Sequence, residues 1–202
     1  MQKRKFCIAL CLLAAFLLWT AGVRWIDVQA IGPEGSMVGF ATLNRFFHDH
    51  IGVHMGLYTL TDWLSVVPLG FAAGFGFQGL AQWIRRKSLG KVDRDLLILG
   101  SFYAAVMAAF LFFEVVVINY RPVLIEGVLE ASYPSSTTML CMCVLPTAAM
   151  RLRNRRWLAV ILMVFTIFMV AARLISGVHW FTDIIGGVLM SAGLVMLYDS
   201  LT

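Results

Sequence analysis

Arg173, His179 and Asp183 stand in the run Ala-Arg-Leu-Ile-Ser-Gly-Val-His-Trp-Phe-Thr-Asp, an Arg-x5-His-x3-Asp spacing between two long apolar segments. Ionisable side chains at the mouth of a membrane helix are costly, and such positions are functional by default. A helix running on from His179 would put His179 and Asp183 one turn apart on a common face. The carboxylate could then hold one imidazole nitrogen and leave the other free as a nucleophile or base. Arg173 adds a fixed cation and a planar fork of donors suited to a phosphate. These residue types point to phosphoryl chemistry at a membrane surface.

Two further polar stations flank apolar runs. In Asn119-Tyr120-Arg121-Pro122, the proline disfavours helix in the residue before it and so ends the segment. Arg121 could snorkel to the interface or pair with Glu114, seven residues earlier and two turns down the same face. In Tyr133-Pro134-Ser135-Ser136-Thr137-Thr138, hydroxyl residues follow a proline and precede an apolar run, the pattern of a helix start. Ser135 or Ser136 can cap the free amides there. The same amides can bind an anion with the positive end of the helix dipole. Two arginines, a hydroxyl-rich helix start and an oriented histidine suit in-line phosphoryl transfer, in which positioning and charge stabilisation do most of the work.

The elements that must position these groups are membrane helices. Of 202 residues, 60% are hydrophobic and only 13% charged, too apolar for an ordinary soluble domain. Six runs approach the roughly 20 residues needed to span a bilayer: about 6–23, 56–82, 96–118, 137–150, 157–175 and 183–198. The fourth is short and contains Pro146. The expected architecture is all-α, an integral membrane six-transmembrane-helix bundle forming a single domain over 1–202. Lys3, Arg4, Lys5, then Arg85, Arg86, Lys87, Lys91, Arg94, then Arg151, Arg153, Arg155 and Arg156 fall in three segments separated by even numbers of spans. The positive-inside rule places all three, with both termini, in the cytoplasm and the polar stations on the extracytoplasmic face of the cell membrane. The net charge of +5 is thus a topology signal and implies no nucleic-acid partner. The first apolar run follows a basic segment, as in a signal peptide, but cleavage near Ala21 would spoil the charge pattern, so an uncleaved helix is expected.

Other features carry less. Cys7, Cys11, Cys141 and Cys143 form no Cys-x-x-Cys pair and suit buried apolar positions. His50 and His54 would share a face if helical, with His48 nearby, yet no further ligand set is evident; neither metal nor cofactor is expected. Gly74-x-Gly76-x-x-Gly79 lacks the strand context of a dinucleotide fingerprint and suggests close helix packing, as do Gly187 and Ser191. Trp25, Trp63, Trp83, Trp157 and Trp180 lie near span ends, as an interfacial belt would. Trp180 could alternatively line a path for a lipid tail.

The three stations together resemble the type 2 phosphatidic acid phosphatase (PAP2) family of lipid phosphate and undecaprenyl diphosphate phosphatases, over roughly residues 55–200. That family's motifs are Lys-x6-Arg-Pro, Pro-Ser-Gly-His and Ser-Arg-x5-His-x3-Asp. Here they stand as Arg121-Pro122 with Glu114 at the lysine position, Pro134-Ser135 with Ser136 for glycine and Thr137 for histidine, and Arg173, His179 and Asp183 with Ala172 for serine. The resemblance implies a membrane lipid phosphatase in which His179 attacks to form a phosphohistidine and Asp183 orients it. Arg121, Arg173 and Ser135 would bind the phosphoryl group. The family's general acid is the histidine replaced by Thr137, and a missing acid costs about 10²–10⁴ in rate. A diphosphate has a better leaving group than a monoester, so the substitution favours a prenyl diphosphate over phosphatidic acid. Glu114 is a candidate replacement acid. The same substitutions leave open a catalytically impaired relative that binds phospholipid head groups. A small transporter component ranks below both, because no helix carries a polar stripe.

Overall fold

The computed structural model describes residues 2–202. Eight α-helices follow one another: α1 (Gln2–Trp25), α2 (Ala41–Ile51), α3 (Met55–Leu64), α4 (Val66–Arg86), α5 (Arg94–Val115), α6 (Ser136–Arg151), α7 (Arg156–Ile175) and α8 (Phe181–Leu201). A two-residue antiparallel pair, Gln29–Ala30 with Met37–Val38, lies between α1 and α2. The chain is an all-α, multi-pass membrane fold. Its outer surface fits this: Leu17, Leu18, Phe77, Val115, Val160, Val164 and Ile167 are all exposed, an apolar surface suited to lipid.

Five segments are long and apolar enough to cross a bilayer: α1, Met55–Arg86, α5, α7 and α8. The expected sixth is different in kind. At 16 residues α6 reaches about 24 Å, short of the roughly 30 Å hydrocarbon core. It is instead sheathed by protein, with Cys141, Leu145 and Ala148 packed against Leu162 and Met169 of α7. Pro146 lies inside α6 without ending it. The expected second span is bent into α3 and α4 at Ser65, because Pro68 has no N–H for the helix ladder and its ring crowds the carbonyl one turn earlier.

The first and last helices lie side by side. Gly193 lets Leu13 approach so closely that a Cβ there would sit 2.8 Å from Leu13 Cδ2. Lys5 Nζ pairs with Asp199 at 2.8 Å, and at the other end the Trp19 indole donates to the Thr182 carbonyl at 3.1 Å. This pairing puts Lys3, Arg4 and Lys5 at the end of the bundle opposite the α7–α8 turn. The α4–α5 and α6–α7 connections, which carry the other basic clusters, lie at that same basic end.

At the opposite end α2 is strapped over the α7–α8 turn. Asn44, fully buried, donates to the Gly39 carbonyl and Thr182 Oγ1 and accepts from the Thr182 amide. Gly177 has φ +67°, and a Cβ there would meet the Gly52 carbonyl oxygen at 1.9 Å, so only glycine fits this crossing. The face expected to join His50 and His54 does not form, because α2 ends at Ile51 and α3 starts at Met55. Each ring turns back to a nearby carbonyl, of Phe46 and Ile51 respectively. Gly74, Gly76 and Gly79 are not packing contacts either: a Cβ on any of them would meet nothing within 4 Å. Gly187, in contrast, abuts Thr138 and the Ser135 carbonyl.

Candidate active site

Helix α8 starts at Phe181, so His179 lies before it and shares no helical face with Asp183. The reason is local. Asp183 is the third residue of α8, and its Oδ2 accepts from the Trp180 amide at 3.0 Å, tying the carboxylate to the helix start. Asp183 Oδ1 accepts from Asn119 Nδ2 at 3.0 Å, and Oδ2 also accepts from the Ser132 hydroxyl at 2.5 Å. Three donors converge on a carboxylate with no exposed surface, which is how a buried anion is made tolerable.

Ser132 is the link that connects this carboxylate to the histidine. His179 Nδ1 lies 2.9 Å from Ser132 Oγ and 3.2 Å from the Ser132 carbonyl oxygen. A carbonyl only accepts, so Nδ1 carries the hydrogen, and the Ser132 hydroxyl passes its own hydrogen to Asp183. The lone pair is therefore on Nε2, which faces Arg121 Nη1 at 3.4 Å. The chain His179–Ser132–Asp183 replaces the direct imidazole–carboxylate contact expected from the spacing.

The two arginines flank one aromatic ring. The Arg173 guanidinium lies 4.7 Å from the centre of the Tyr58 ring and that of Arg121 5.9 Å from it. Arg173 is buried; its Nη1 donates to Thr61 Oγ1 at 2.9 Å and to the Tyr58 carbonyl at 3.3 Å, and its Nε has no partner. Arg121 is held by Glu130, not Glu114. Residues 120–131 form a short excursion bridged at Tyr120–Ala131, which returns Glu130 to within 2.9 Å of Arg121 Nε. The Nε–H is not aimed at the carboxylate, so this is a close ion pair without a good hydrogen bond.

Ser135 precedes α6 and is fully buried; its hydroxyl accepts from Thr138 at 3.1 Å and caps no backbone amide. The amides opening α6 thus have no side-chain cap. Ser136 and Glu114 line one cavity with Ser132 and His179. That cavity continues past Glu114 and Ser136 into an open mouth of about 570 Å³ lined also by Tyr120, Arg121 and Glu130. Thr137 faces elsewhere. It lines, with Asp62, Ser65 and Ser136, the polar top of an apolar groove of about 340 Å³ between α4, α5 and α6. Trp180 is buried, and its indole donates to the Tyr120 carbonyl at 2.8 Å, so it ties two loops and belongs to no interfacial belt. Trp25, Trp63 and Trp157 are widely exposed. Among the described residues no cluster of three His, Cys, Asp or Glu side chains is placed to hold a metal ion.

Burial pushes the His179 imidazole well below its ordinary value, and Arg121 and Arg173 push it further the same way. The ring is therefore neutral at neutral pH. The unfolded chain takes up this proton near pH 6.5 and the folded site only at lower pH, so stability present above 6.5 is lost as pH falls through that window. The thermal midpoint in detergent is expected to fall as pH is lowered below about 6.5, and His179→Gln is expected to flatten that slope. An unchanged slope in the variant would show that other groups dominate.

This fold and site define a class, a helical membrane protein with a histidine–arginine site at one end of the bundle. Residues 101–200 match the family model of the PAP2 superfamily. Over 96% of its length the chain is similar to a transmembrane PAP2-type phosphatidylglycerolphosphate phosphatase from Bacillus subtilis, with 94% of that chain covered, a TM-score of 0.62 and 18% identity. Comparison with curated proteins gives no match. The chain belongs to the PAP2 superfamily.

Proposed function

We propose that the protein is a lipid phosphatase that hydrolyses a lipid phosphate or prenyl diphosphate through a phosphohistidine on His179. The observation that carries this is the placement of His179, whose Nε2 lone pair meets only a long 3.4 Å contact from Arg121, in the lining of a small cavity of about 10 Å³ that shares Glu114 and Ser136 with the open mouth. Nε2 attacks phosphorus, the N–P bond forms, and the bond to the leaving oxygen breaks. Arg121, Arg173, Ser135 and the uncapped amides of α6 hold the phosphoryl oxygens. Asp183 acts through Ser132 to fix the imidazole tautomer. Water then attacks the phosphohistidine and releases phosphate.

Glu114 lines the His179 cavity and Thr137 does not, so Glu114 is the carboxyl group placed to serve the leaving oxygen. Glu114→Gln is expected to lower kcat about 10²-fold or more for a monoester and less for a diphosphate. Equal turnover by variant and wild type would remove Glu114 from the reaction. The basic connections at the far end of the bundle support a cytoplasmic placement of that end and an extracytoplasmic site. The groove beside Ser136 and Thr137 supports sideways access of a lipid from the bilayer.

The test is phosphate release from a panel of lipid phosphates and prenyl diphosphates in detergent, with His179→Ala as control. A second possibility, a head-group-binding relative without turnover, is favoured by the Arg121–Glu130 ion pair, which competes with a bound phosphate. Saturable binding without phosphate release would select it.

A further inference from the structure

The groove that begins at Thr137 does not stop at mid-membrane. It shares Phe110, Ser136 and Met139 with the His179 cavity above. Below, it shares Ala72 and Tyr103 with a second apolar cavity of about 400 Å³. That lower cavity is walled by Gly76, Gly79 and Trp83 of α4, by Gly100 of α5 and by Leu89 of the connection between them. Tyr103 stands at the waist, its hydroxyl 3.0 Å from Thr147 Oγ1.

From Asp62 to Trp83 the slot follows α3 and α4 for about 30 Å, the full thickness of the hydrocarbon core. An acyl chain of a phospholipid in the outer leaflet reaches only about half of that depth. Two adjoining cavities over this length, the upper one sharing Phe110, Ser136 and Met139 with the His179 cavity, fit one very long chain attached to the reacting head group. The glycines keep the lower half open: side chains added at Gly76, Gly79 or Gly100 would meet nothing within 4 Å, so this space is not consumed by helix packing.

We infer that the α4–α5 slot is a tail-binding site for a polyprenyl chain, occupied across both leaflets while the head group sits at His179. This rests on the phosphatase assignment for the head group but concerns the tail alone. The slot then acts as a length selector, in which the lower cavity adds binding only for tails that pass the Tyr103 waist.

The experiment fills the lower cavity with Gly76→Leu/Gly100→Leu and compares kcat/KM for undecaprenyl and farnesyl diphosphate in detergent. The long-to-short ratio is expected to fall at least about tenfold, which lost burial of two or three methylene groups is enough to produce. An unchanged ratio overturns the proposal, and the ratio is insensitive to the fraction of folded protein. A binding arm uses His179→Ala protein and native mass spectrometry with undecaprenyl and farnesyl phosphate. Preferential retention of the long chain, lost in the filled variant, supports the slot. Equal retention, or bulk phospholipid that the long chain does not displace, overturns it. If wild-type protein releases no phosphate from either diphosphate, the phosphatase assignment fails while this binding arm still decides the slot.

Discussion

Replacing His179 with alanine is expected to abolish phosphate release from every lipid phosphate that the wild-type protein hydrolyses. No other side chain lining the cavity carries a nitrogen, and water would have to attack phosphorus directly. Loss of a nucleophile from an otherwise intact site lowers kcat by about 10⁴–10⁶. The fold should survive, because Ser132 and Asn119 continue to bond Asp183 without the imidazole. Burial and two nearby guanidiniums disfavour a charged ring, so its removal costs little electrostatically. Radiolabelled substrate, quenched under alkaline conditions, should leave an acid-labile phosphoryl group on wild-type protein and none on the variant. Turnover within tenfold of wild type would sink the covalent mechanism.

The second large effect concerns Arg173. Its guanidinium is buried beside Thr61 and Tyr58, carries an unpartnered Nε, and among the described residues has no carboxylate within ion-pair distance. Such a cation is poorly compensated until an anion arrives. Arg173→Met is therefore expected to lower kcat/KM about 10²–10³-fold, the scale of one lost donor to a developing charge. The thermal midpoint of the ligand-free variant should equal or exceed that of wild type, the pattern of a site that holds function at the expense of stability. Orthovanadate should raise the midpoint of wild type and not of the variant. A variant that unfolds more easily than wild type would show that Arg173 is chiefly a structural tie.

Much of this arrangement is legible along the chain, and the limit is physical. Apolar runs mark α1, α5, α7 and α8 to within a few residues, because a bilayer imposes length and composition on each span separately. Arg121, Ser135 and His179 stand at segment ends, where a break in hydropathy exposes them. Ser132 and Glu130 carry no such mark. Their roles arise from contacts to residues 47 and 51 positions away for Ser132, and from the return of a short excursion for Glu130. The burial of α6 was equally hidden, since an apolar helix reads alike whether lipid or protein surrounds it. The start of α8 at Phe181 follows from Asp183 binding the Trp180 amide, a choice between capping and pairing that the Arg-x5-His-x3-Asp spacing leaves open.

The pairing of α1 with α8 has a consequence for biogenesis. Phe16, Trp19 and Val23 find their neighbours on α8 and around Tyr133, so α1 leaves the ribosome well before the helix it packs against. About 150 residues must be made in between, roughly 8–30 s at ordinary elongation rates. During that interval Gly193 and Thr182 do not yet exist, and the inner face of α1 can be shielded only by lipid or an insertion factor. Asp183 arrives with the same late helix, so its bonds to Asn119 and Ser132 form only after α8 has been made.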